Sequence, residues 1–340
     1  MQFAACRFII EWVLLVPRCA NCMGKEGRMI DVRKRTPAKV NLSLLVGPKG
    51  DDGNHEIFTV FAPVDVYDDI EISLEARQGE GPGELRVECR TAPGENNLAA
   101  QALRTLERLT GWSLSGRLAI HKGIPVGAGL GGGSSDAAAT LMVGVEALAE
   151  AGGPLLDDAQ LVAIARSLGA DVSFFLDPLP AIGRGIGELL EPLDLPGLHL
   201  VLVFFDRMLS TARVYREFDS KQLPATRSMF EFKAGQAEKR WRQVTDVAQV
   251  ARLLENDLER ASFSLIPSLV SDREILIREG AVGALMSGSG PTLFALSASA
   301  DKAKELAERL MVRGFNARAA KVIGRGGEEP AGASRGARLS

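Results

Sequence analysis

The sequence predicts a mixed α/β protein of two domains, and three observations carry that prediction. Segments with apolar residues at every second position, a strand signature, lie beside segments with apolar residues three and four apart, a helix signature. A length of 340 residues leaves room for two sizeable cores. Residues 178–196 are prolines and glycines around short apolar pieces, a composition suited to a domain junction.

Composition narrows the partners. Apolar content is 46% and charged content 24%, ordinary values for a globular chain. With a net charge of −3 there is no global basic field for nucleic acid or an anionic membrane, so an anion would be held by local geometry. Residues 8–16 form the only long apolar run, which Glu11 breaks and which is too short to span a bilayer. Cys6, Cys19 and Cys22 fall in or beside this leader; the C-x-x-C pair has no second pair to complete a zinc site. Residues 1–28 therefore read as an extension, with Met29 as a candidate functional start, and the rest as a reduced, cytoplasmic protein.

In chain order, residues 38–46 place Val40, Leu42, Leu44 and Val46 on one face, a half-buried strand with Lys39 and Asn41 on the other. A turn at 49–53 precedes Asn54 and His55. Ile70, Ile72 and Leu74 alternate, as do Leu85, Val87 and Cys89, so residues 79–83 between them read as a hairpin loop. Residues 97–110 form a helix with Leu98, Ala102, Leu106 and Leu109 on one face and Gly111 as its stop.

The stretch around which the chain is organised follows. A short strand at Ile120 passes Pro125 and enters a glycine-rich loop, Gly127 to Gly133. Ser134 and Ser135 sit where an N-cap belongs, and Ala137, Leu141, Val145 and Leu148 continue at helix spacing. Loop and helix start together form a nest of backbone N–H groups for anionic oxygens such as a nucleotide's phosphates. No lysine lies in the loop, which excludes a Walker A site, and no acidic residue closes a second strand as the dinucleotide-binding pattern requires.

Residues 157–168 are a capped helix ending at Gly169, and Asp171 follows directly, close to two phenylalanines that partly bury it. Gly183, Gly185 and Gly187 form a second glycine-rich element. Residues 200–205 are a continuous apolar strand covered on both faces, and Ser210 or Thr211 caps the next helix. Residues 221–242 are charged and aperiodic and read as a mobile excursion. Asn256 to Glu259 read as a polar helix face. Residues 284–296 are two strands around Ser287-Gly288-Ser289-Gly290-Pro291; a helix at 301–313 and a strand at 316–322 close the fold. From 324 to 340 the composition is that of a disordered tail.

PVGAGLGGGSSDAAATL, at 125–141, resembles the central phosphate-binding motif of the GHMP kinase superfamily. PAKVNLSLLV at 37–46 and ALMSGSGPTLFAL at 284–296 resemble its first and third motifs, in the right order. DGNH, GADVSFF, GRGIGE, STARVY and NDLE resemble elements of the branch whose acceptor is a cytidylylated sugar alcohol used in isoprenoid-precursor synthesis. Departures are Asn54 for a tyrosine, Ser173 for a proline, and Asp206-Arg207 for a lysine-proline. Homoserine-type or mevalonate-type kinases, or a non-catalytic ligand sensor, are the alternative readings.

The resemblance implies an α+β architecture: a ribosomal-S5-like N-terminal domain over 29–182 and a ferredoxin-like C-terminal domain over 183–323. It also implies ATP and Mg²⁺ as cofactors, a small-molecule acceptor, and a monomer or weak homodimer. Asp171 is implied as the catalytic base and Lys39 as its neighbour at the acceptor hydroxyl. Pro125, Val126, Gly127, Ala128, Gly129, Leu130, Gly131, Gly132, Gly133, Ser134 and Ser135 would bind ATP, with Ser135 able to reach Mg²⁺. Asn97 and Lys122 would frame the adenine. Asn41, His55, Asp171, Thr211, Ser287 and Gly288 would line the acceptor site. Taken alone, Lys39 is a solvated strand lysine, His55 a surface histidine, Asp171 a loop carboxylate, Asn97 an N-cap and Lys122 a solvated lysine.

Overall fold

The structure, a computed structural model, describes residues 29–79, 81–221 and 226–324. The expected N-terminal extension at 1–28, with its three cysteines, lies outside the described residues, as do residues 325–340 of the expected tail.

Two long strands form the frame: β1 (Ile30–Lys49) and β2 (His55–Gln78) pair antiparallel along most of their length. β3 (Leu85–Cys89) is followed by helix α1 (Leu98–Thr110), capped by Asn97, whose side chain accepts from Ala99 N, and stopped by left-handed Gly111. β4 (Trp112–His121) then pairs antiparallel with β2 and parallel with β3. Residues 79–83 therefore do not close a hairpin: β4 lies between β2 and β3. Alternation identified both strands but carries no information on which strand each one pairs with.

Helices α2 (Gly132–Glu150), α3 (Asp158–Leu168) and α4 (Ala170–Phe175) follow. With α1 they cover one face of the sheet, burying Leu103, Leu106, Leu141, Leu148 and Phe174 against Ile70, Ile72, Leu74 and Leu118. α3 has a full capping box, Asp157 and Gln160 satisfying each other's backbone N–H. β5 (Ala181–Arg184) pairs with β2 and with β6 (Leu189–Pro192), so residues 181–192 belong to the first sheet. The expected boundary between 182 and 183 falls inside β5, and the second sheet opens later.

That sheet begins with β7 (His199–Phe204). Helices α5 (Thr211–Lys221), α6 (Arg227–Trp241) and α7 (Val247–Leu253) follow, then the two-residue strand β8 (Glu255–Asn256), which pairs parallel with β1. Helices α8 (Glu259–Leu265) and α9 (Ser268–Arg278), strands β9 (Gly283–Met286) and β10 (Leu293–Ser297), helix α10 (Ala300–Val312) and strand β11 (Asn316–Lys321) complete it. Among the described residues the second sheet runs β11-β7-β10-β9.

β7 is covered on both faces, as its unbroken apolar run predicts. Leu200 and Leu202 face the first sheet with Phe294 and Leu296; Val201 and Val203 face Leu269, Leu276 and Leu306. The first of these clusters also takes in Val40, Leu42, Phe58 and Val60, and so fuses the two sheets through one apolar layer. β1 is thus not half-buried: its residues from Ala38 to Val46 are buried on both faces. The region read as a mobile excursion contains α6, whose Phe230, Ala234 and Trp241 are buried against that same layer. Their spacing of four and seven residues is helical, but exposed Met229 and Phe232 on the other side blur the pattern.

Candidate active site

The glycine loop is held at its middle, at the adjacent carbonyls of Gly129 and Leu130, by the two segments it must serve. Lys39 N donates to Leu130 O at 2.9 Å, tying the loop to β1. Ser287 Oγ donates to Gly129 O at 3.0 Å, tying it to the β9–β10 loop. Two glycines are required. A Cβ on Gly129 (φ 77°) would lie 2.4 Å from Ser287 O, and one on Gly131 (φ 72°) would lie 2.7 Å from the Phe175 ring and 3.2 Å from Lys39 Cγ.

α2 starts at Gly132 with left-handed Gly131 as its N-cap, one turn earlier than the serine cap the sequence suggests. The first intrahelical bond, Ser135 N to Gly131 O, leaves the N–H groups of Gly132, Gly133 and Ser134 without helical partners. These amides and the helix dipole make the loop an anion cradle. Ser134 is half-buried, whereas Ser135 is 1% exposed, so Ser134 is the better placed of the two hydroxyls for a ligand.

The pair expected to do the chemistry is assembled beside this cradle. Lys39 Nζ lies 3.2 Å from Asp171 Oδ2, with side chains 5% and 32% exposed respectively. Asp171 is not on a loop but in the first turn of the short α4, which Phe174 anchors by stacking on Phe61 at 4.8 Å. The other side of Lys39 donates to Asn41 Oδ1 at 2.7 Å, and its ammonium sits 5.2 Å from the Phe61 ring centroid.

The third glycine motif closes the arrangement. A Cβ on Gly288 would be 3.2 Å from Gly129 O, 3.3 Å from Asn41 Oδ1 and 3.7 Å from Lys39 Nζ, so this loop faces both other motifs. Its position is set by Asn256, whose amide donates to Met286 O and Gly288 O, both at 2.8 Å, while its carbonyl accepts from Leu258 N. Asp257 accepts from Val46 N on β1 and Glu259 from Met286 N on β9. Residues 256–259 are therefore a clasp between the sheets rather than a polar helix face, a role visible only in tertiary contact. Thr211 Oγ1 lies 3.0 Å from Ser289 Oγ, which brings the start of α5 to the same loop.

His55 lines a neighbouring aromatic recess. Its Nδ1 lies 2.9 Å from Gly47 O and its ring stacks on Tyr215 at 5.4 Å, with Phe218 edge-on. Nε2 lies 2.9 Å from Asp219 Oδ1. Burial, then the negative charges of Asp171 and Asp219, raise the Tyr215 phenol above its usual range, so it stays protonated. Asn54 is exposed and bonded to Asp52, away from this stack. The sequence reading missed Tyr215 as the aromatic partner of His55, although it stands in the STARVY element.

Two expected adenine contacts have other employment. Asn97 uses its carbonyl to cap α1 and its amide to reach Ala92 O. Lys122 pairs with Asp68 and, at 2.9 Å, with Asp136, beneath the loop. Thr36 also donates to Asp136 at 2.7 Å, and Asp68 accepts from Gly123 N and Ile124 N. Burial pushes the Asp136 carboxyl up to about 6, with Lys122 opposing and Asp68 reinforcing the rise. Asn97 thus serves the start of α1 and Lys122 the foundations of the cradle, and the polar atoms of both are engaged within the fold.

Residues 97–177 match the GHMP kinases N terminal domain and residues 238–316 the GHMP kinases C terminal, so the class that this fold and cleft define is the GHMP kinases. The chain is 38% identical over 291 residues to the 4-diphosphocytidyl-2-C-methyl-D-erythritol kinase of Thermobifida fusca, covering 83% of this chain and 92% of that one. It is 40% identical over 293 residues to the enzyme of that name from Citrifermentans bemidjiense, covering 84% and 97%. A crystal structure of 4-(cytidine 5'-diphospho)-2C-methyl-D-erythritol kinase superposes with a TM-score of 0.65 at 35% identity, over 86% of this chain and all of that one. Homoserine kinase from Cytophaga hutchinsonii shares the fold, with a TM-score of 0.62 at 19% identity over 88% of this chain and 95% of that one. This chain belongs to the 4-diphosphocytidyl-2-C-methyl-D-erythritol kinase family.

Proposed function

We propose that the protein transfers the γ-phosphoryl group of ATP to the 2-hydroxyl of 4-diphosphocytidyl-2-C-methyl-D-erythritol, in the cytoplasm, as a step in non-mevalonate isoprenoid precursor synthesis. The observation that carries this reading is the Lys39–Asp171 pair, 3.2 Å apart and walled by the two glycine loops. No described helix is long and apolar enough to cross a membrane.

Phosphoryl transfer needs positioning and charge stabilisation more than covalent chemistry. The amides of Gly132, Gly133 and Ser134 hold phosphate oxygens at the start of α2. Asp171 accepts the proton of the acceptor hydroxyl, a step worth about 10²–10⁴-fold when the base is well placed. Lys39 directs an N–H at the charge that develops on the transferred group. Among the described residues no cluster of three His, Cys, Asp or Glu side chains could hold a metal ion. Mg²⁺ would be carried by the nucleotide's phosphate oxygens and water, neutralising charge, with Ser134 or Ser135 the hydroxyls at the cradle. The His55–Tyr215 stack offers an aromatic wall suited to a pyrimidine.

A substrate panel tests the proposal. With ATP and Mg²⁺, ADP release should follow addition of the cytidylylated acceptor and not of homoserine or mevalonate. Turnover of homoserine alone, or ATP binding without turnover of any acceptor, would overturn it.

A further inference from the structure

Lys39 has three ammonium protons and the site leaves one of them unassigned. One goes to Asn41 Oδ1 at 2.7 Å and one faces Asp171 Oδ2 at 3.2 Å. The ammonium is held in this place, with its third proton toward the reacting group, only while Asn41 presents its carbonyl, not its amino group, to the lysine. An amide side chain can be turned either way, so something must fix it.

That something is Thr59, which is completely buried on β2. Its hydroxyl carries a single proton, which it donates to Ser43 O at 2.7 Å. The oxygen can then only accept, and it accepts from Asn41 Nδ2 at 2.8 Å. A register shift between Asn41 and Ser43, where β1 bulges against β2, lets one oxygen reach both residues. The methyl group packs on β5, where a Cβ added to Gly183 would lie 2.9 Å from Thr59 Cγ2, which supports this rotamer.

We propose that Thr59 is a positioning residue for phosphoryl transfer, locking Asn41 carbonyl-first toward Lys39 so that the ammonium is held beside Asp171 with its third proton aimed at the transferred group. The direction of every hydrogen bond in the row is forced from its far end. Ser43 O can only accept, so Thr59 donates there; Thr59 therefore accepts from Asn41; Asn41 therefore accepts from Lys39. If the Asn41 amide turned over, its amino group would face an ammonium, donor against donor, and Lys39 would swing from its place beside Asp171. The inference rests on the kinase reading given above.

The test compares Thr59→Val, Thr59→Ser and Thr59→Ala in the full-length protein, measuring ADP release with ATP and the cytidylylated acceptor. Thr59→Val keeps the shape and removes the hydroxyl. It should lower kcat about 10–100-fold, the scale seen when a partner that orients a site group is removed, with KM for both substrates within about twofold. Thr59→Ser keeps the hydroxyl and should retain most of the activity. Asn41→Ala should lose activity, and adding Thr59→Val to it should cause no further loss, because the threonine acts through the asparagine. If Thr59→Val does not fold, by circular dichroism and thermal unfolding, Thr59→Ala replaces it in the same comparison. A folded Val or Ala variant with wild-type kcat, or a loss that multiplies fully with Asn41→Ala, would overturn the proposal. A wild-type protein inactive on the cytidylylated acceptor would instead sink the kinase reading, which keeps the two failures apart.

Discussion

Asn256 donates to two backbone carbonyls, Met286 O and Gly288 O, from a two-residue strand paired with β1. One buried amide thus fixes the Gly288 loop of one sheet against the strand of the other that carries Lys39. The cleft between the sheets is set by hydrogen bonds as well as by apolar packing.

Asn256→Ala would leave Met286 O, Gly288 O and Leu258 N without these partners. We expect a stability loss of about 2–4 kcal/mol, since buried groups left unpaired cost about 1–3 kcal/mol each and water recovers part of that. Thermal or urea unfolding measures it, and kcat should fall as the loop loses its register. A variant with unchanged stability would show that the clasp is not a structural one.

Asp171→Asn keeps the shape and removes the base. kcat should fall about 10²–10⁴-fold while the Kd for ATP, measured by calorimetry, stays near wild type because the cradle is untouched. Near-normal kcat would remove Asp171 from the role of base.

Gly129→Ala places a methyl 2.4 Å from Ser287 O at a left-handed φ of 77°, so loop and motif must separate. A lower unfolding midpoint and weaker ATP binding are expected. Gly133→Ala, with nothing within 4 Å and helical backbone, should leave the midpoint unchanged or raised by the equivalent of about 0.5–1 kcal/mol. Equal effects at the two positions would contradict the described loop geometry.

Trp241→Ala tests whether α6 belongs to the folded core. Trp241 is 1% exposed, and removing so large a buried side chain costs about 3–5 kcal/mol. A change within experimental error would return residues 227–241 to the status of an excursion.

The Asp136 carboxyl, pushed up to about 6 by burial, gives a pH signature. An acid whose folded pKa lies above its unfolded value binds more protons when folded, so its contribution to stability is greatest in acid. That contribution is lost as pH rises from about 4 to about 6. Urea unfolding of wild type and Asp136→Asn across that window should give a stability difference, wild type minus variant, that falls with rising pH. A difference that is flat or rises would contradict the assignment.

Much of the fold was legible where local chemistry decides structure. The caps at Asn97 and Asp157, the stop at Gly111 and the two-sided apolar run of β7 each announce an element through neighbours in sequence. The glycine–serine loop was legible as an anion cradle because dense glycine directly before a helix start leaves backbone N–H groups open to a ligand; that Gly129 and Gly131 admit no side chain is what the structure adds. Lys39 and Asp171 were legible only through their motifs; a strand lysine and a post-helix aspartate say nothing of being 3.2 Å apart. What stayed hidden depends on long-range partners. The parallel pairing of β3 with β4, the clasp at Asn256 and the link through Thr59 involve residues unremarkable in their own segments. Asn97 and Lys122 carry motif-like signals but have their polar atoms engaged inside the fold.

The most direct measurement is a transfer assay with γ-labelled ATP and 4-diphosphocytidyl-2-C-methyl-D-erythritol, run on wild type and Asp171→Asn with phosphorus NMR of the product. The account predicts that label appears as a phosphomonoester on the acceptor's 2-position with wild type, in step with ADP, and is nearly absent with the variant. Label released only as inorganic phosphate, or transferred equally well by both proteins, would contradict it.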